Sequence, residues 1–185
     1  MDNKKQYLAE QKRFIMVDLE TAGPNPSNYA LLSIGACMLK KPRATFYIEL
    51  QPDKEAQEPE AMLIHGLNMQ ELKQNAVAPK KALLNFEEWI KEQVPDGEKP
   101  IFVGFNAAFD WMFLNDYFFR YLGRNPFGYA PLDIKSLYMG VKHVPWALTA
   151  MKYIKNKPLR HNALADALDQ AEILADLWKE LTDVS

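Results

Sequence analysis

Cysteine is almost missing from this chain of 185 residues, where Cys37 stands alone. A single cysteine excludes an intrachain disulfide, and such usage suits the cytosol. Cys37 lies in an apolar, strand-like run, which reads as a small core residue. Long apolar runs are absent too, since none approaches the ~20 residues of a membrane-spanning helix. The opening Met1-Asp2-Asn3-Lys4-Lys5 has no apolar leader region. A cytoplasmic protein without a membrane role is therefore expected. Repeats, low-complexity tracts and linkers are also missing, and the length fits one domain with a substantial core. Charge of one sign is scarce: a net charge of −2 excludes a long basic groove.

What is present centres on Arg13-Phe14-Ile15-Met16-Val17-Asp18-Leu19-Glu20-Thr21. In a strand, Phe14, Met16, Asp18 and Glu20 share one face, and Ile15, Val17 and Leu19 share the other. Both faces begin apolar, which predicts a central strand covered on both sides. Asp18 and Glu20 then stand about 7 Å apart on one face. Like charges on a mostly buried face disfavour ionisation unless something positive lies between them. The alternative is a strand end that emerges into water.

The turn formers of residues 21–28 make a loop. Leu31 to Leu39 and Ala44 to Leu50 are two further apolar runs whose short links predict antiparallel neighbours of the first strand. Lys81 to Val94 reads as an amphipathic helix, with Leu83, Leu84, Phe86 and Ile90 on its apolar face. Ile101-Phe102-Val103 arrives after that helix and is expected to run parallel to the first strand. Ala108 to Leu122 is an apolar helix closed by Gly123. Shorter helices are predicted over Asp133 to Met139 and Ala147 to Ile154, and a long one from about Asn162 to Leu181. Residues 1–12 form a polar lead-in and 182–185 a tail. The pattern predicts one mixed α/β sheet flanked by helices.

Asp110 is the only charge between Lys99 and Asp116. An acid early in a helix can serve the helix dipole, worth about 0.3–1 kcal/mol. In so apolar a segment, however, a lone carboxylate is expensive unless paired. Asp166, in His161-Asn162-Ala163-Leu164-Ala165-Asp166, admits two readings. It falls about 140° from the stripe of Leu164, Leu168, Ala171, Ala175 and Trp178, as a solvated residue would. Yet Ile173 shares its face, which argues against plain exposure.

Asp18, Glu20, Asp110 and Asp166, with His161, make a set of four carboxylates and an imidazole. Oxygen-only donors favour a hard divalent ion, Mg²⁺ or Mn²⁺, over zinc. Two such ions about 3.5–4 Å apart would clamp an in-line displacement at phosphorus. The histidine could deprotonate the attacking water. Setting those four acids aside leaves 22 basic against 20 acidic residues, which permits a modest phosphate-binding surface.

Here the sequence resembles the DEDDh-type 3′-5′ exonucleases of the ribonuclease H-like fold. Asp18-Leu19-Glu20-Thr21 is similar to their first motif, Asn106 to Asp110 to the second, and His161 with Asp166 to the third. The likeness covers residues 13–181, with the ribonuclease T group nearest through Glu20-Thr21-Ala22-Gly23, Glu58-Pro59-Glu60-Ala61 and Arg124-Asn125-Pro126-Phe127. His65-Gly66 is instead similar to the proofreading subunits of DNA polymerase III.

The resemblance implies a five-stranded mixed sheet, three strands antiparallel and the rest parallel. It implies an exonuclease domain over 13–181, two divalent ions held by Asp18, Glu20, Asp110 and Asp166, and His161 as general base. The terminal nucleotide would meet Thr21, His65, Asn106, Phe109 and Phe127, although Phe109 and Phe127 read equally as core packing and His65 as a loop histidine with a structural hydrogen bond. Lys155, Lys157 and Arg160 either steer phosphates or are simply solvated. Pro24 and Ile64 stand where ribonuclease T would carry aromatics, a departure in its end-recognition pattern. The expected substrate is a single-stranded 3′ end, RNA ahead of DNA, cut to nucleoside 5′-monophosphates, and a homodimer is possible on the same likeness. The alternatives are a DNA-proofreading or repair exonuclease, a catalytically silent nucleic-acid-binding scaffold, and a phosphatase acting on small phosphoesters.

Overall fold

The computed structural model describes residues 6, 9–155 and 160–183. Five strands form one sheet: β1 (Phe14–Thr21), β2 (Leu31–Met38), β3 (Thr45–Glu49), β4 (Ile101–Gly104) and β5 (Leu132–Asp133). Their order is β3-β2-β1-β4-β5, so the apolar strand predicted to be central is central. β2 runs antiparallel to both β1 and β3, while β4 runs parallel to both β1 and β5. The mixed arrangement follows the short links and the helix before β4, but β3 borders β2 rather than the first strand, because a short link returns a strand alongside the one it leaves.

Alternation along β1 splits the core in two. Ile15, Val17 and Leu19 pack with Phe86 of α3 (Pro79–Gln93) and with Phe113 and Tyr117 of α4 (Ala107–Leu122). Phe14 and Met16 pack on the other face with Ala167, Leu174 and Trp178 of α7 (Ala163–Asp183) and Ile134 of α5 (Ile134–Lys142). The long helix extends two residues beyond its expected end at Leu181. Gly123 takes the left-handed conformation at φ 69° that closes α4.

Two short helices follow β3, α1 (Pro59–His65) and α2 (Met69–Asn75). Neither was anticipated, although Asn68 caps the second by accepting from the Gln70 and Glu71 N–H groups. β5 takes Leu132 and Asp133, one residue into the helix expected over Asp133 to Met139, which begins at Ile134. Two residues carry no strand period of their own, and pairing to Val103 and Gly104 makes them a strand. A 3₁₀ turn (Trp146–Leu148) and α6 (Met151–Lys155) complete the order. The lead-in of residues 1–12 and the tail of 182–185 fall partly outside the described residues, and Lys157 does so entirely. Among the described residues, no helix is long and apolar enough to cross a membrane.

Candidate active site

β1 and β4 pair from Phe14 to Met16 and no further. Beyond Met16 the β4 side of β1 therefore lacks a strand partner, and a cleft opens at the carboxyl ends of the two parallel strands. Such crevices are where open α/β sheets place their ligands. The Leu19 N–H, freed by this divergence, donates to Asp110 Oδ1 at 3.0 Å. Asp110 sits in the first turn of α4, where the positive end of the helix faces it. Its carboxylate is only 5% exposed.

Asp18 and Glu20 project from β1 toward α7, as the period of two requires. Asp166 meets them from the first turn of that helix. Asp166 is 5% exposed, so the solvated reading of its helix face does not hold. The buried face of the helix runs through Ala163, Asp166, Gln170, Ile173, Leu174 and Leu177, whereas Leu164, Leu168 and Ala175 of the expected stripe are only half-buried. One ligand oxygen from each of Asp18, Glu20 and Asp166 lies within 4.8 Å of the other two. Asp110 borders the same cleft outside that trio.

The cleft has a volume of about 390 Å³, and His161, Asn106, Phe109 and Lys135 also line it. His161 precedes α7 with φ 51°, and Asn106 precedes α4 with φ 62°. Both hold the left-handed region, which non-glycine residues occupy at a cost of order 1–3 kcal/mol. Asn106 makes no side-chain cap for its helix. The α4 N-terminus is held instead by Asp133, which accepts from the Ala107 N–H at 3.1 Å. The Asn106 amide is thus left to the cleft.

The electrostatics show a concentration of uncompensated negative charge. Burial, then the charges of Asp110, Glu20 and Asp166, holds the Asp18 carboxyl well above the usual carboxylate range, against a hydrogen bond from Gln170. Burial and the Asp166 charge push Glu20 up to about 7. Burial carries Asp110 up to about 8 despite the Leu19 N–H. Lys135 is the only lysine or arginine among the described residues that line the cleft. Buried oxygen donors this close together, without a balancing cation, fit a hard divalent ion, the set expected from the sequence.

Lys135 of the cleft wall and two residues behind the acids escaped the sequence reading. Gln170 is 1% exposed; its Nε2 donates to Asp18 Oδ1 at 2.7 Å, and its Oε1 accepts from the Phe105 N–H at 3.2 Å. The available signal was its place one helical turn after Asp166 on the same helix face. Gly35 was the other. A lone glycine inside an apolar strand marks a close backbone approach.

The expected nucleotide contacts separate. Phe109 lines the cleft, its ring 5.4 Å from Phe113. Phe127 does not: it is 6% exposed and packs against Phe86, Phe102 and Phe118, on the sheet face opposite Asp18 and Glu20. Motif likeness fixed its chain position but not the direction of its side chain, and the core claims it. The Thr21 hydroxyl donates to the Gly23 carbonyl, while the Thr21 carbonyl accepts from His65 Nε2 at 3.3 Å. His65 Nδ1 accepts from the Leu67 N–H, which fixes the proton on Nε2. Burial, with the nearby His161, lowers the affinity of His65 for a second proton. Arg160 is paired with Asp169.

Acids gathered from β1, α4 and α7 at the open end of this sheet make a donor set for hard cations, and comparison supplies the class and the family. Residues 13–178 match the family described as the Rv2179c-like 3′-5′ exoribonuclease domain, and the chain belongs to it. A relative in Escherichia coli, the 3′-5′ DNA exonuclease Cap18, is 46% identical over 89% of this chain and 90% of its own. Ribonuclease T of Shewanella baltica is 30% identical over 97% and 88%. Among solved structures, the nuclease domain of 3′hExo, a DEDDh family member bound to rAMP, shares the fold. Its TM-score is 0.75 at 16% identity, with 90% of this chain and 92% of that one covered.

Proposed function

We propose that the protein removes nucleoside 5′-monophosphates from the 3′ end of single-stranded DNA in a divalent-metal-dependent reaction. The convergence of Asp18, Glu20 and Asp166 oxygens within 4.8 Å, beside His161, carries this reading. DNA stands first because the 46%-identical relative is named a DNA exonuclease. RNA is the second reading, supported by the family description and by the ribonuclease T relatives. This order reverses the preference drawn from the sequence.

Asp18, Glu20 and Asp166 would hold one ion, and Asp18 with Asp110 a second. When bound, such ions neutralise charge developing on the phosphoryl oxygens and favour ionisation of water. The remaining work falls to the chain's own groups. Asn106 and the backbone at Thr21 hold the terminal nucleotide, with His65 buttressing the Thr21 carbonyl. Phe109 stacks the terminal base without reading its identity. The His161 imidazole accepts the proton of the attacking water. The water oxygen bonds to phosphorus as the P–O3′ bond breaks, and the 3′ oxygen leaves with the shortened strand, protonated from solvent.

The test incubates 5′-labelled DNA and RNA strands with the protein and Mn²⁺, Mg²⁺ or chelator, beside an Asp18→Ala variant. A ladder shortening from the 3′ end, lost with chelator and in the variant, is the expected result. Retarded but uncut strands would leave only a binding protein. Phosphate release without shortening would make it a phosphatase.

A further inference from the structure

We propose that Lys135 and Trp146 form an upstream nucleotide subsite at the rim of the cleft, where Lys135 meets a phosphate and Trp146 stacks a base. The inference rests on the exonuclease reading above and extends it from the terminal nucleotide to the strand behind it. Lys135 lines the cleft with the acids, and its ammonium stands 3.9 Å from the centre of the Trp146 ring. The indole is therefore held at the rim, in contact with the one lysine or arginine among the described residues that line the cleft.

Trp146 is 52% exposed, a large apolar surface to leave in water. Its position is nevertheless built. It opens the 3₁₀ turn Trp146–Leu148, and its carbonyl accepts from both the Thr149 N–H at 3.1 Å and the Thr149 hydroxyl at 2.7 Å. Thr149 is fully buried, and Ala150 and Met151 after it run directly into the cleft wall. A rigid, half-exposed aromatic ring beside a cation is the combination that grips single strands independently of sequence.

Charge supports the same occupant, because Lys135 is the described cation of the cleft wall placed to meet a phosphodiester. The rim contact also suits a strand rather than a mononucleotide. A terminal nucleotide fills the region of Asn106 and Phe109, so Trp146 is free for a base farther from the 3′ end.

The experiment measures kcat and KM on oligothymidylates of two, four and ten nucleotides in Mn²⁺, using the full chain. Trp146→Ala is expected to raise KM about tenfold on the longer strands. The rise on the dinucleotide should be far smaller, with kcat little changed. Trp146→Phe should restore most of the loss, because a ring is retained. Lys135→Ala should reduce the slope of log(kcat/KM) against log salt by about 0.7, one single-strand phosphate contact. The subsite is overturned if Trp146→Ala changes KM equally at every length or not at all. It is equally overturned if Trp146→Phe behaves like alanine. If the parent protein shortens no strand, the exonuclease reading falls first; shortening without length dependence removes the subsite alone.

Discussion

Asp18 and Gly35 stand directly opposite each other across the β1–β2 ladder, so their side-chain positions share the face that α7 covers. The glycine is what lets the helix come so near. A Cβ on Gly35 would lie 2.1 Å from the Ala163 carbonyl carbon and from the Leu164 nitrogen, both backbone atoms of the α7 N-terminus. Gly35→Ala must therefore push out the turn that carries Asp166. Overpacking of this kind costs about 1–3 kcal/mol. Thermal denaturation should show a lower Tm, and displacing one acid by ~1 Å should reduce kcat by about 10²-fold. An alanine variant with parental Tm and rate would mean that the helix has room the geometry denies.

Gln170 ties the opposite side of Asp18 in place. One amide fixes a carboxylate oxygen through Nε2 and the turn before Asn106 through Oε1. Gln170→Leu keeps the volume and removes both bonds. Loss of such outer partners of a metal ligand typically costs 10–100-fold in affinity or activity. Calorimetric titration of the nucleic-acid-free variant with Mn²⁺ should show weaker binding by about that factor. Parental affinity, with only the Tm lowered, would make Gln170 a core residue and nothing more.

These two residues also show where the sequence stopped being legible. Asp18 and Glu20 stood out because a strand's period of two places them on one face, and both neighbours of β1 were recoverable from link lengths. Asp110 was conspicuous as a charge in an apolar helix. Asp166 was ambiguous because the larger side chains Leu164 and Leu168 drew the expected stripe beside the face of Ala163, Gln170, Leu174 and Leu177 that is in fact buried. Gln170 and Gly35 act through partners 152 and 128 positions away in the chain, a separation no local pattern records. β5 owes its existence to β4, and Phe127 stayed open between core and site because motif spacing carries no information about which face a loop side chain enters.

Phe109 and Phe127 should part company in experiment. Phe127 fills the aromatic core with Phe86, Phe102 and Phe118. Phe127→Ala should cost about 3–5 kcal/mol of stability, as truncations of buried phenylalanine do. KM on a short strand should not change while the protein remains folded. Phe109→Ala should do the reverse, raising KM severalfold with a smaller change in Tm. Denaturant unfolding and steady-state kinetics on the same preparations distinguish them, and a raised KM for Phe127→Ala would return that ring to the site.

The raised carboxyl groups set the pH dependence of the metal-free protein. Glu20 titrates near 4.5 when unfolded and near 7 in the fold, and Asp110 near 3.8 and near 8. In each case the folded state holds its proton more tightly than the unfolded one. The stabilising contribution is thus complete below the unfolded value and is lost as pH rises toward the folded value. Metal-free Tm should therefore fall between about pH 5 and 8 as Glu20 and Asp110 ionise beside Asp18 and Asp166. Mn²⁺ should reverse the fall, and more strongly at pH 8 than at pH 6, because it binds the ionised carboxylates and only the folded state assembles them. Asp110→Asn keeps an oxygen to accept from the Leu19 N–H but carries no charge. It should flatten the pH slope, raise the metal-free Tm at pH 8 and abolish strand shortening. Should the metal-free Tm instead rise steadily from pH 5 to 8, the four acids are not crowded in the way their positions require. A stabilised but inactive Asp110→Asn protein would show that the buried charge is maintained for catalysis, at the expense of the fold.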